Sequence, residues 1–174
     1  MDKILKVKNL EYQKHDETNL RCIRRVETTL VEDHSFEYFG EPITDSAKLA
    51  KICESVGRKD REIAVILFLD KLSYPIGYDI FMGGIDFVTI DPRQVFKVAA
   101  MLNASKIAVC HNHPEGDPHP SRDDQTFCLQ LSNLCFVMGW QVLDFIILAS
   151  GAYYSFRDSK NPSLLDKFPT DKIK

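Results

Sequence analysis

The run IAVILFL, bounded by Glu62 and Asp70, constrains this chain more than any other stretch. It is β-branched and continuously apolar, and far shorter than the roughly 20 residues that cross a bilayer. Such a run is the signature of a strand covered on both faces. A sheet with such a strand needs helices packed on it. GEPITDS supplies turn chemistry with Asp45 or Ser46 as an N-cap. Ala47, Leu49, Ala50, Ile52, Cys53 and Val56 then give a helix its apolar side, and Gly57 stands where a C-cap glycine is expected. DPRQVFKVAAMLNAS opens a second helix with Asp91 as cap and Pro92 in its first turn, lined by Val95, Val98, Ala99 and Leu102. KIAVC, residues 106–110, reads as a second buried strand. A third helix starts at Ser121, with Asp123 and Asp124 near its positive end and Phe127, Leu131, Leu134, Cys135 and Met138 marking its buried face.

Further strands are expected at 26–30, on either side of the Gly83-Gly84 break within 71–90, and late in the chain at VLDFIILA and AYYSFR. Strands and helices mix without strict alternation, so the expected fold class is α+β, a mixed β-sheet flanked by helices. The expected organisation is an N-terminal arm over residues 1–25, one domain over 26–158 and a tail over 159–174. With 174 residues and 44% apolar composition, one compact core is the default.

The first residues lack the apolar stretch of a secretory signal, no apolar run reaches membrane length, and five cysteines without paired spacing fit a reducing compartment; the expected location is the cytoplasm. Cys128 and Cys135, seven apart on a helix, lie roughly 10 Å from each other, too far for a disulfide, and read as core side chains. A net charge of −3 with dispersed basic residues gives no electrostatic footprint for duplex binding. The small cluster Arg21, Arg24 and Arg25 reads as a solvated face.

Residues 110–124, CHNHPEGDPHPSRDD, concentrate three histidines, three prolines and four acids. If the strand runs through KIAVCHNH, His111 and His113 point to one face and Cys110 and Asn112 to the other. Pro114 ends the strand, and the following turn brings Ser121 and Asp124 back on the first turn of a helix. Two imidazoles and one carboxylate can hold a tetrahedral zinc ion (Zn2+) with one place open, the arrangement of a catalytic site. Glu62, at the polar edge of the central strand, offers a base for a metal-activated water, and the Ser121 hydroxyl offers a donor to an oxyanion. These roles describe amide hydrolysis. Taken singly, His-x-His is as readily a polar strand end as a ligand pair, and Ser-x-x-Asp is ordinarily a helix cap. Only the spacing as a whole favours the metal site.

That spacing, His111-x-His113-Pro114 followed by Ser121-x-x-Asp124, resembles the signature of JAB/MPN (JAMM) metalloprotease domains. HNHPEGDPHPSRDD, the preceding NAS, VLDFIILA and YYSFRD make the chain similar to the RadC-like branch, over about residues 26–158. The resemblance implies a cytidine-deaminase-like mixed sheet flanked by helices. It also implies zinc bound by His111, His113 and Asp124, Glu62 as general acid/base and Ser121 as oxyanion stabiliser. A peptide or isopeptide bond in a protein substrate is then the expected target. Nucleic acid enters only through the DNA-repair label attached to RadC proteins. The alternative is a RadC-like module that serves a DNA-processing or mobile-element complex without turnover, and a third reading is a nuclease using the same ion.

Three departures from the family stand out. Glu115 replaces the serine of HNHPSG and adds a charge at the mouth of the site. Phe145 stands where the family has the histidine of DHI. The first 25 residues are too few for the helix-hairpin-helix-like region of longer RadC proteins. His119 is expected as an exposed loop residue, with closure of the open metal position as its other reading.

Overall fold

The computed structural model describes residues 40–84 and 89–159 in full, together with the backbone of two strands, β1 (Lys3–Val7) and β2 (Thr28–Val31). The chain divides into two compact units, Met1–Tyr38 and Phe39–Lys174. In the first, β1 pairs antiparallel with β2. Lys3–Val7, within the stretch expected as an N-terminal arm, forms a strand. Pairing with a distant partner, which local patterning does not report, makes the strand. The basic cluster at 21–25 and the tail beyond Ser159 lie outside the described residues.

The second unit runs α1 (Ser46–Ile52), a 3-10 turn (Val56–Arg58), β3 (Ile63–Leu69), β4 (Pro75–Met82), α2 (Pro92–Met101), β5 (Lys106–Asn112), α3 (Arg122–Val137), β6 (Gln141–Ala149) and β7 (Ala152–Ser155). Its sheet has the order β4-β3-β5-β6-β7. All neighbours are antiparallel except β5 and β6, which run parallel with α3 as the crossover. This is the mixed, helix-flanked α+β sheet expected from the sequence. The second strand expected within 71–90 includes residues 85–88, which lie outside the described ones.

β3 and β5 are buried along nearly their whole length, as continuous apolar runs require. One face of the sheet packs Ala64, Ile66, Phe68, Ile107, Val109, Phe145 and Ile147 against Val95 and Ala99 of α2 and Cys128, Leu131 and Cys135 of α3. On the other face, α1 and the 3-10 turn pack on β5 and β6. Asp45 caps α1 by accepting from the Lys48 N–H at 2.8 Å. The helix ends at Ile52, a turn before Gly57. Gly57 serves close approach instead of capping, since a Cβ there would sit 3.2 Å from the Leu148 Cβ.

The face expected for α3 is corrected at its C-terminal end. Leu134 and Met138 are exposed, and Ser132, with its hydroxyl donating to the Cys128 carbonyl at 2.8 Å, joins the buried side. Internal bonding of that hydroxyl removes the penalty that polarity would otherwise impose. Cys128 and Cys135 are free and buried, as expected of core side chains. Asp144 is also buried on β6, where it accepts from the Ser155 hydroxyl at 2.7 Å and the Arg157 N–H at 3.1 Å. Burial raises its pKa, and those donors partly offset the shift.

Candidate metal centre

The end of β5 delivers two imidazoles to one side of the sheet. His111 shares the parity of Ile107 and Val109, so it lies on the α3 face, and His113 follows just beyond the strand. Their rings meet edge to face with centroids 4.8 Å apart, and both are buried. Behind His111 lies the ring of Phe145, 5.4 Å away. The parallel neighbour β6 holds the end of the motif, with the His113 N–H donating to the Leu148 carbonyl at 2.9 Å.

After Pro114 the chain turns sharply. The Gly116 N–H donates to the His113 carbonyl at 3.1 Å, and Gly116 itself has φ +93°, in the region that favours glycine. The turn aims the Asp117 carbonyl at Nδ1 of His113, 2.8 Å away. A carbonyl only accepts, so Nδ1 carries the proton and the Nε2 lone pair of the neutral ring points into the site.

α3 then brings the carboxylate. Ser121 and Asp124 form a reciprocal capping box: the Ser121 Oγ accepts from the Asp124 N–H at 3.1 Å, and Asp124 Oδ2 accepts from the Ser121 N–H at 2.7 Å. This fixes the Asp124 side chain over the histidines. Its Oδ1 lies 3.1 Å from Nε2 of His111 and its Oδ2 lies 3.4 Å from Nε2 of His113.

These spacings fit a metal ion. Ligands at roughly 2.0–2.1 Å around a tetrahedral zinc lie about 3.3 Å from one another. The ligand atoms of His111, His113 and Asp124 all fall within 4.8 Å of one another. Both ring nitrogens of His111 are buried without a hydrogen-bond partner, although Nε2 is so close to Asp124. Close but unaligned, the two groups face a common point rather than each other. A buried imidazole left this way is costly unless something else occupies that point. The cluster can therefore hold a metal ion.

The electrostatics agree. Contact with Asp124 raises the His113 pKa to about 9 despite its burial. Burial pushes the Asp124 carboxyl upward, but the two histidines and the Ser121 side chain outweigh it and hold the group well below the usual carboxylate range.

Glu62 precedes β3 and is buried. Burial raises its carboxyl above the ordinary range; the charges of His111 and His113 act against this, while Asp124 and Glu115 reinforce it. Glu62 is thus within electrostatic reach of all three ligands. Ser121 is exposed at the helix start, and its oxygen accepts within the cap. Glu115 is exposed. His119 is excluded from the cluster: Asp117 accepts from its N–H at 3.0 Å and pairs with Nδ1 at 2.6 Å, leaving the ring turned to solvent.

Three contributors are absent from the sequence-based site. Asn112 is wholly buried and bonds to the chain on both sides of Glu62. The Asp117 carbonyl orients His113, and a backbone group leaves no letter in the sequence. Phe145 backs His111, a contact visible only once β5 and β6 are in register.

Among relatives, a UPF0758 protein of Thermotoga maritima is 35% identical over 123 residues, covering 70% of this chain and 55% of its own. UPF0758 proteins of Clostridium botulinum and Pasteurella multocida are 36% and 35% identical over 99 and 103 residues, or 56% and 59% of this chain and 43% and 46% of theirs. The chain thus spans about half the length of these relatives. Residues 43–161, which contain the whole five-stranded sheet and the histidine-aspartate cluster, match the RadC-like JAB domain, and the chain belongs to that family.

Proposed function

We propose that this protein is a zinc-dependent hydrolase that cleaves a peptide or isopeptide bond in a protein substrate. The observation that carries the reading is the His111-His113-Asp124 cluster, with carboxylate oxygens 3.1 and 3.4 Å from the two Nε2 atoms and His111 otherwise unpartnered. A zinc ion held there supplies Lewis acidity and makes water nucleophilic near neutral pH. The remaining chemistry belongs to the chain. Glu62, its carboxyl raised by burial, is suited to take a proton from water and return it to the departing amine. Ser121 can donate its hydroxyl proton to the oxygen of the tetrahedral intermediate, a contribution of roughly 3–4 kcal/mol in comparable oxyanion sites. Membership in the JAB family supports the reading.

Two measurements test it together. Purified protein should carry one zinc per chain, lost on Asp124→Asn. Panels of peptide- and isopeptide-linked fluorogenic substrates should reveal turnover that Glu62→Gln removes while the zinc stays bound. Stoichiometric zinc without cleavage of any panel member would instead favour a metal-bearing module without turnover.

A further inference from the structure

The amide of Asn112 is wholly buried between the two histidines of the cluster, yet it points away from them. Its hydrogen bonds all go to the segment that carries Glu62. Oδ1 accepts from the Ile63 N–H at 2.8 Å, and Nδ2 donates to the carbonyls of Arg61 at 3.0 Å and Lys59 at 3.3 Å. The residues immediately before and after Glu62 are thus gripped by one side chain. Glu62 is fixed from its other side by main chain, its N–H donating to Gly84 at 3.1 Å and its carbonyl accepting from Gly83 at 2.9 Å.

The register explains why a side chain is needed. β3 and β5 pair from Leu69↔Lys106 to Ala64↔His111. Continued, that register sets Glu62 opposite His113. The His113 N–H points to the Leu148 carbonyl on the opposite neighbour, as strand alternation dictates, so the residue of β5 that faces β3 here is Asn112, opposite Ile63. Asn112 bridges to β3 in place of the ladder. Parity puts Glu62 on the face of Ala64 and hence of the two imidazoles, while Asn112 leaves β5 on the other face. The clamp therefore acts from behind the sheet and leaves the metal side clear.

We infer that Asn112 is the positioning residue for Glu62, holding its carboxylate in register with the histidine pair without touching the ion or the substrate. The inference rests on the role proposed above for Glu62. Without the clamp, the Ile63 N–H and the Lys59 and Arg61 carbonyls lose their partner and re-aim toward water. Misplacement of a reacting group by about 1 Å costs on the order of 100-fold in rate.

The test follows the Glu62 side-chain carboxyl carbon by NMR in the whole chain while zinc is titrated in. In the wild type that resonance should move as zinc binds. In Asn112→Ser and Asn112→Ala, zinc should bind with unchanged stoichiometry, the Glu62 response should fall by more than half, and the Ile63 amide should exchange with solvent at least 10-fold faster, a size that corresponds to about 1.4 kcal/mol. The central β3 amides of Ile66 and Leu67 should keep their protection, which separates re-aiming from unfolding. A full Glu62 response in both variants overturns the inference and leaves the proposed function standing. A wild-type Glu62 that ignores bound zinc overturns the proposed role of Glu62 and the inference with it. If both variants fail to fold, the wild type still decides: an Ile63 amide and Asn112 side-chain protons that exchange as fast as an exposed loop overturn the clamp, and slow exchange upholds it.

Discussion

Nε2 of His113 and Oδ2 of Asp124 stand 3.4 Å apart, and contact with that carboxylate lifts the His113 pKa to about 9. A cation entering the cluster must therefore displace a proton over the neutral range. Metal affinity should rise with pH until about 9, the value that His113 reaches, and flatten above it. Calorimetry at pH 7 in buffers of different ionisation enthalpy should register release of about one proton per zinc. Affinity independent of pH between 6.5 and 8.5 would contradict the pairing.

The same pair sets a stability trend for the metal-free protein. A histidine whose pKa is higher folded than unfolded stabilises the fold fully below the unfolded value and loses that contribution as pH rises through the folded one. For His113 the window runs from 6.5 to about 9. Chelator-treated protein should lose Tm across that window, and His113→Asn should remove this part of the slope. Thermal unfolding at closely spaced pH values is the measurement.

Gly116 controls the aim of His113 at one remove. A Cβ on Gly116 would sit 2.7 Å from the Ser150 Oγ, and its φ of +93° is unfavourable for any other residue. Gly116→Ala should cost about 1–2 kcal/mol of stability and shift the Asp117 carbonyl off Nδ1. Metal affinity, read by competition with a chromophoric chelator, should fall roughly 10–100-fold, as losses of an outer hydrogen bond to a ligating histidine do. Adding Ser150→Gly should recover part of the loss by removing the clash.

Ser121 has two tasks that substitution can separate. Ser121→Ala removes the cap oxygen and the donor, and should cost about 1 kcal/mol of unfolding free energy. Ser121→Gly keeps a fair cap without any side-chain donor, at a cost of only a few tenths of a kcal/mol, so stability should stay near that of the wild type. On the proposed mechanism, both should lower turnover by about 100-fold with zinc retained. A fully active Ser121→Gly would confine Ser121 to capping.

Much of this arrangement is written locally. The runs at β3 and β5 are apolar on both faces because both faces are covered, and Ser121-x-x-Asp124 declares a helix start on its own. His111 and His113 follow from the two-residue strand period. Other features depend on partners remote in sequence. Lys3–Val7 is a strand only by pairing with Thr28–Val31. Gly57 resembles a helix terminator until Leu148 is found against it. Leu134 and Met138 match a helical stripe, but the face that α3 buries runs through Cys128, Leu131, Ser132 and Cys135 and leaves both exposed. Asn112, facing away from the histidines, has no periodic pattern to betray it, and its partners are backbone atoms about fifty positions upstream.

The three candidate ligands lie on one continuous reach of chain, from the end of β5 to the first turn of α3, whereas Glu62 joins them only through long-range strand pairing. Short loops close at lower entropic cost than long ones. Along a folding trajectory the ion-holding segment can assemble while the β3 edge is still open, so a chain of this kind can capture its ion while chemically silent. On the proposed mechanism, hydrolytic competence would then come last, as the event that reports completion of the sheet.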